Sequence, residues 1–206
     1  MAQYGNAMQR TTPVVLNLII INALVYVAQM ILDKTMDFTS MIALYSYQSE
    51  FFKPYQLVTH MFAHDPSNIF HILFNMYALW MFGSVLERVW GPKKFLIFYL
   101  VCGLAAGVAQ MVTMSPMGLA VGASGAIMGL LAAFAYLFPN TQFYILPFPF
   151  PIKAKYMVAI YAAIDLFGGL HPGGADNIAH FAHLGGMVMG FILVIIWNKT
   201  NKKTFY

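Results

Sequence analysis

Ser124 stands in the stretch VGASGAIMGLL, residues 121–131, a hydroxyl set between glycines in an otherwise apolar run. Two chemistries fit it. Small residues let membrane helices approach closely, and a serine becomes a nucleophile when a base lies within hydrogen-bond reach. The second needs a partner, and the chain holds 6 histidines. His183 falls on one helical face with Ala179, Gly186 and Gly190, following i, i+4, i+7, i+11 spacing. His180 precedes it by one turn and is a supporting candidate. Acyl transfer also needs donors aimed at the developing oxyanion. His71 and Asn75, in HILFN, are four residues apart and share a face. The backbone N–H of Ser124, near a helix start, is a third donor.

These residues must be held by something, and composition says what. Of 206 residues, 60% are hydrophobic and 9% charged, where soluble domains carry about 25% charged. A transmembrane helix needs about 20 mostly apolar residues. Spans are predicted at 13–32, 68–86, 94–113, 119–138, 152–169 and 177–197. The fold class is therefore all-α, a six-helix polytopic membrane bundle forming a single domain over residues 1–206. The first span is too long for a signal h-region, lacks an A-x-A-like cleavage site and carries Asn17, Asn22 and Gln29, so it is read as retained. Cys102 is the only cysteine, which excludes an intramolecular disulfide. A net charge of +4 with no compact basic stripe excludes nucleic acid as a partner.

With the N-terminus placed inside, Arg10, Arg88, Lys93, Lys94, Lys153, Lys155, Lys199, Lys202 and Lys203 gather on one side. Only Lys34 and Lys53 fall opposite, which puts both termini in the cytoplasm. The acids Asp33, Asp37, Glu50, Asp65, Asp165 and Asp176 are assigned to the outer side. The outer stretch 33–67 is rich in aromatics and is expected to lie partly helical in the interface. PNTQFYILPFPFP (139–151) has four prolines, cannot continue a helix and should hug the cytoplasmic interface. GGLHPGGAD (168–176) is Gly-rich and suited to a lid.

The second, fourth and sixth spans all start at the outer face. His71, Asn75, Ser124, His180 and His183 then lie about 5–10 Å below it, at a rise of 1.5 Å per residue. Polar groups inside a span are costly, and three helices place theirs in one shallow layer. Gly122, Gly125, Gly129, Ala132 and Ala133 give the fourth span a small face. If it meets the small face of the sixth, His183 is delivered beside Ser124. The outline is a serine hydrolase built inside a bilayer.

Residues HILFN, GASG and AHLGG, in this order and on these spans, resemble the rhomboid intramembrane serine proteases. The similarity covers nearly the whole chain and extends to Gly83 and the Glu87–Arg88 pair in GSVLERVWG. The resemblance implies a Ser124–His183 dyad with no acidic third member, an oxyanion site from His71, Asn75 and the Ser124 N–H, and the minimal six-helix bacterial form. It implies a multi-pass protein of the bacterial inner membrane with its site open to the outer side. One position departs: an aromatic that packs on the histidine in studied relatives is Met128 here, whose sulfur can contact an imidazole instead. Gly122 is a further supporting position.

Rival readings fit less well. HMFAH places His60 and His64 at a helical ligand spacing but lacks the Glu of a zinc protease motif. No Asp or Glu is placed at the depth of the cluster, so neither metal nor other cofactor is expected. A transporter wants paired broken helices and a charged midplane site. An inactive rhomboid-like helix-binding module typically lacks the serine or the histidine, and both are present. The expected partners are single-span membrane protein substrates and membrane lipids, with the chain a monomer. A buried helix shields its own carbonyls, so a substrate must unwind near its outer end, with a small residue before the cut.

Overall fold

The computed structural model describes residues 12–144, 150–171 and 179–200. Helix α1 (Pro13–Leu32) opens with proline in its first turn, where a missing N–H costs nothing. Two short helices, α2 (Phe38–Ile42) and α3 (Gln56–Thr59), follow in the aromatic stretch. Helix α4 (Ile69–Trp90) is capped by Asn68, whose side chain accepts from the Phe70 N–H at 3.1 Å. A π-helical turn at Leu79–Gly83 interrupts it. Gly91, at φ 80°, reverses the chain into α5 (Pro92–Thr113), which again begins with proline. The series closes with α6 (Ser124–Leu137), α7 (Ala154–Leu170) and α8 (His180–Thr200).

The fold is an all-α polytopic membrane fold, and the chain is an integral membrane protein. Among the described residues, four helices are long and apolar enough to cross a membrane: Pro13–Leu32, Ile69–Trp90, Pro92–Thr113 and His180–Lys199. The other two are shorter than the sequence predicts. Helix α6 has 14 residues instead of beginning near 119, because Leu119–Ala120 form an extended strand (β2) paired antiparallel with Leu44–Tyr45 (β1). At 1.5 Å per residue α6 rises about 21 Å, less than the apolar layer of about 30 Å. It is buried along most of its length, as a helix enclosed by its neighbours must be. Helix α7 has 17 residues. The proline-rich link forms a second ladder, β3 (Gln142–Tyr144) against β4 (Pro151–Lys153), with residues 145–149 outside the described set. Of the expected lid, 168–170 belong to α7, and 172–176 lie outside the described residues.

Helices α5, α6 and α8 form the centre through small residues. A Cβ built on Gly190 would lie 2.5 Å from the Gly129 carbonyl oxygen, and one on Gly186 would collide with the Gly125 carbonyl. A Cβ on Gly129 would sit 2.7 Å from Cys102 Sγ. The backbones of α6 and α8 therefore touch directly, as small faces allow. Around this centre pack Leu79 and Leu86 of α4, Phe95, Phe98 and Tyr99 of α5, and Leu130 of α6. Helix α1 is locked on by Glu87, whose carboxylate accepts from the Val14 and Val15 N–H groups at 3.0 and 2.9 Å. Those are orphan donors at a helix start, where a negative charge is favoured.

Candidate active site

The contact between α6 and α8 decides the geometry at their shared end. Ser124 is the first residue of α6, and His183 lies in the first turn of α8. Ser124 Oγ and His183 Nε2 are 2.9 Å apart, within the reach that proton transfer needs. The glycine faces that bring the backbones together are the reason two residues 59 apart in sequence meet.

Helix α4 supplies the next groups. The Asp65 N–H donates to His71 Nδ1 at 3.3 Å, which leaves the ring proton on Nε2. That nitrogen faces Gly122. A Cβ built on Gly122 would lie 3.0 Å from His71 Nε2 and 3.6 Å from Ser124 Oγ. Gly122 also has φ 130°, a backbone conformation other residues rarely adopt. Its N–H donates to the His60 carbonyl at 2.9 Å, fixing the turn into α6. Asn75 is buried, and its amide donates to the His71 carbonyl at 2.7 Å. The Ser124 N–H, at the start of α6, has no carbonyl one turn earlier within the helix. Ser124, His71, Asn75 and His183 all line one cleft of about 930 Å³, with Phe74 and Met114 among its apolar walls. A recess of about 10 Å³ lies behind the serine, bordered by Met61, Gly103, Ala106 and Gly125. The arrangement supplies a hydroxyl, an adjacent base, and donors around one point.

One acid stands where none is expected. Asp165 of α7 is only 4% exposed, and its Oδ1 lies 3.0 Å from His183 Nδ1 and 2.9 Å from His180 Nδ1. Placing an aspartate in a span costs about 2.5–3.5 kcal/mol on insertion scales, so such a residue is rarely idle. This corrects two expectations at once. The cluster does have an acid at its depth, and Asp165, counted in the sequence only as an outer-side charge, belongs to the cluster itself. Helix α7 runs on to Leu170, which places Asp165 more than a turn inside its end.

Other positions resolve locally. His60 Nδ1 lies 2.8 Å from the Gln56 carbonyl. Gln29 of α1 clamps the His64 peptide, accepting from its N–H at 3.0 Å and donating to its carbonyl at 2.8 Å. Met128 packs on a cluster with Phe82, Leu131, Phe134 and Met157. The group hydrogen-bonded to the far nitrogen of His183 is Asp165 instead. Gln110, absent from the sequence reading, accepts from the Ala182 N–H at 3.1 Å and borders both cleft and recess. Its polarity inside the third span was the available signal.

The family model for the rhomboid domain matches residues 52–199. The chain belongs to the rhomboid family. Among curated relatives it is similar to rhomboid protein 1, mitochondrial, of Saccharomyces cerevisiae, at 33% identity over 64% of this chain and 38% of that one. Rhomboid protease GluP of Bacillus subtilis is 36% identical over 60% of this chain and 22% of its own length. RHOMBOID-like protein 12, mitochondrial, of Arabidopsis thaliana is 30% identical over 93% of this chain and 60% of that one. The chain thus spans between about a fifth and three fifths of the length of these relatives. The matched rhomboid segment contains every group described in this cleft, from His71 to His183, and leaves out the whole of α1. Whether a given rhomboid cuts peptides rests on its own residues, and here a serine and a histidine stand within hydrogen-bond distance.

Proposed function

We propose that this rhomboid is an intramembrane serine endopeptidase acting on single-span membrane proteins through Ser124 and His183. The single observation carrying the proposal is the 2.9 Å separation of Ser124 Oγ and His183 Nε2 at the floor of a cleft large enough for an extended peptide. In the proposed reaction Ser124 Oγ attacks the scissile carbonyl while His183 Nε2 takes the hydroxyl proton and later passes it to the leaving amine. Water then hydrolyses the acyl-enzyme by the same route in reverse. The oxyanion is met by the Ser124 N–H and by His71 Nε2–H, with Asn75 on the same helix face.

The substrate follows from the site's surroundings. A regular helix hides its carbonyls, so the segment that binds is one that unwinds readily, rich in Gly, Pro or polar residues. The recess behind Ser124, walled by Gly103, Ala106 and Gly125, suits a small residue before the cut. On the lysine and arginine bias the termini are cytoplasmic and the cleft opens outward. The membrane is read as a bacterial cell membrane and the working unit as a monomer, with lipids as neighbours.

The test is incubation of the purified protein in proteoliposomes with a panel of single-span substrates, with chelator present and Ser124→Ala as control. Mass spectrometry should place cuts after small residues near the outer end of the substrate span. Cuts at the cytoplasmic end, or activity lost on chelation, would refute the reading. Retention of substrate without any cleavage would favour a helix-binding module.

A further inference from the structure

We propose that Asp165 is a positioning residue for His183, so that this rhomboid works with a Ser124–His183–Asp165 relay of hydrogen bonds instead of a bare dyad. The inference rests on the reading of Ser124 as nucleophile. Three observations carry it. First, the contacts are continuous: Ser124 Oγ to His183 Nε2 is 2.9 Å, and His183 Nδ1 to Asp165 Oδ1 is 3.0 Å. An ionised carboxylate only accepts, so Nδ1 must carry the ring proton and Nε2 is left as the acceptor for the serine hydroxyl. That tautomer is the one a general base needs, and the imidazolium formed during attack would keep a counter-charge on its far side.

Second, the carboxylate is held from two directions. His180 Nδ1 lies 2.9 Å from the same Oδ1, so one oxygen is fixed between two imidazoles on one face of α8. Space for the second imidazole comes from Gly168, where a Cβ would collide with the His180 ring. Third, the surroundings of Asp165 give it no other reason to be there. Its neighbours Ile164, Leu166 and Phe167 are exposed apolar side chains, and among the described residues its polar partners are His180 and His183 of α8. Met128, where the family resemblance places an orienting aromatic, sits instead in the cluster with Phe82 and Phe134. Orientation of His183 has passed from a packing contact on α6 to a charge on α7.

The experiment compares wild type, Asp165→Asn and His180→Ala in the same liposomes. The readouts are the rate at which a fluorophosphonate acylates Ser124, kcat and KM for a cleaved substrate, and the melting temperature. Both variants weaken or remove the Asp165–His180 contact, but only Asp165→Asn changes the partner of His183 Nδ1. The Asn amide can present its NH₂ to that nitrogen and reverse the tautomer, which in soluble serine proteases lowers kcat by roughly 10⁴. The expected result is a fall of about 10²-fold or more in acylation and kcat for Asp165→Asn, at nearly constant KM. His180→Ala should lose no more than about tenfold, at equal or greater cost in melting temperature. Equal losses in the two variants, tracking the melting temperature, would overturn the proposal, as would an Asp165→Asn acylation rate within about threefold of wild type. If Ser124 is acylated but no substrate is cut, the protease reading fails and the acylation rates still decide the role of Asp165. A wild-type Ser124 that is not acylated overturns both.

Discussion

Among the described residues two carboxylates are buried, Glu87 at 2% exposure and Asp165 at 4%, and they face different partners. Glu87 accepts from the backbone N–H groups of Val14 and Val15. Those donors hold their protons at any ordinary pH, so the contact can only lock α1 in place. Asp165 faces two imidazoles, rings that can donate a proton at one nitrogen while accepting at the other. Equal burial and equal charge thus give a fastener in one place and a chemical relay in the other. What separates them is whether the partner can exchange a proton.

The comparison breaks most decisively at the serine. Ser124→Ala and His183→Ala should each reduce cleavage to background, and their effects should not multiply, because residues acting as a unit are not additive. Near wild-type turnover in His183→Ala, with loss in His180→Ala, would move the base to the other imidazole. A smaller effect is expected one helix away. His71→Ala and Asn75→Ala should each lower turnover by about 10²–10³, the usual cost of one oxyanion donor. The His71 loss should be the larger, because its Nε2 faces the site while the Asn75 amide is already engaged by the His71 carbonyl. Unchanged rates in both variants would remove α4 from the chemistry.

Acid should separate the two ends of the molecule. Burial holds His60 and His64 down from the ordinary value near 6.5 to about 4, with the neighbouring His71 ring adding to the effect at His64. Their neutral forms are favoured in the folded state, so stability is full above pH 6.5 and declines as pH falls toward 4. The loss is up to about 3 kcal/mol for each at 1.36 kcal/mol per unit. His60 holds Gly122 through its carbonyl, so hydrogen exchange on acidification should rise first near residues 56–64 and 119–124. Faster exchange at Val14 and Val15 before that region would contradict this order. The smallest effect is expected at the fastener itself. Glu87→Ala leaves two N–H groups without their acceptor and should cost about 2 kcal/mol of stability. Turnover per folded molecule should be unchanged, measured by thermal melting beside active-site titration.

Much of this was legible in the sequence, for identifiable reasons. The long apolar runs and the depth argument gave the bundle and its polar layer, and α1 occupies the predicted span, Pro13–Leu32. The starts of α6 and α7 were misplaced because apolarity cannot distinguish a helix from a strand such as Leu119–Ala120 or Pro151–Lys153. Asp165 was missed through a matter of direction. Depth was counted from the starts of three spans, whereas α7 runs the opposite way and reaches the same layer at its end. A charge near a span end is easily assigned to the loop beyond it, and only the contacts with His180 and His183 decide the matter. The Glu87 lock was beyond sequence reading for another reason. It joins residues 72 and 73 positions apart, and no local pattern encodes that.

Where Gly129 meets Gly190 and Gly125 meets Gly186, no side chain lies between α6 and α8. The distance from nucleophile to base is therefore a backbone dimension, with no rotamers to loosen before it changes. Heating should leave each molecule fully competent until the two helices part, so the inactivation and unfolding curves should superimpose. The same stiffness restricts where a substrate can be admitted. The α6–α8 seam has no slack to give, so the breathing that lets a peptide in belongs to the helices joined to that seam by side chains alone, α4 and α7.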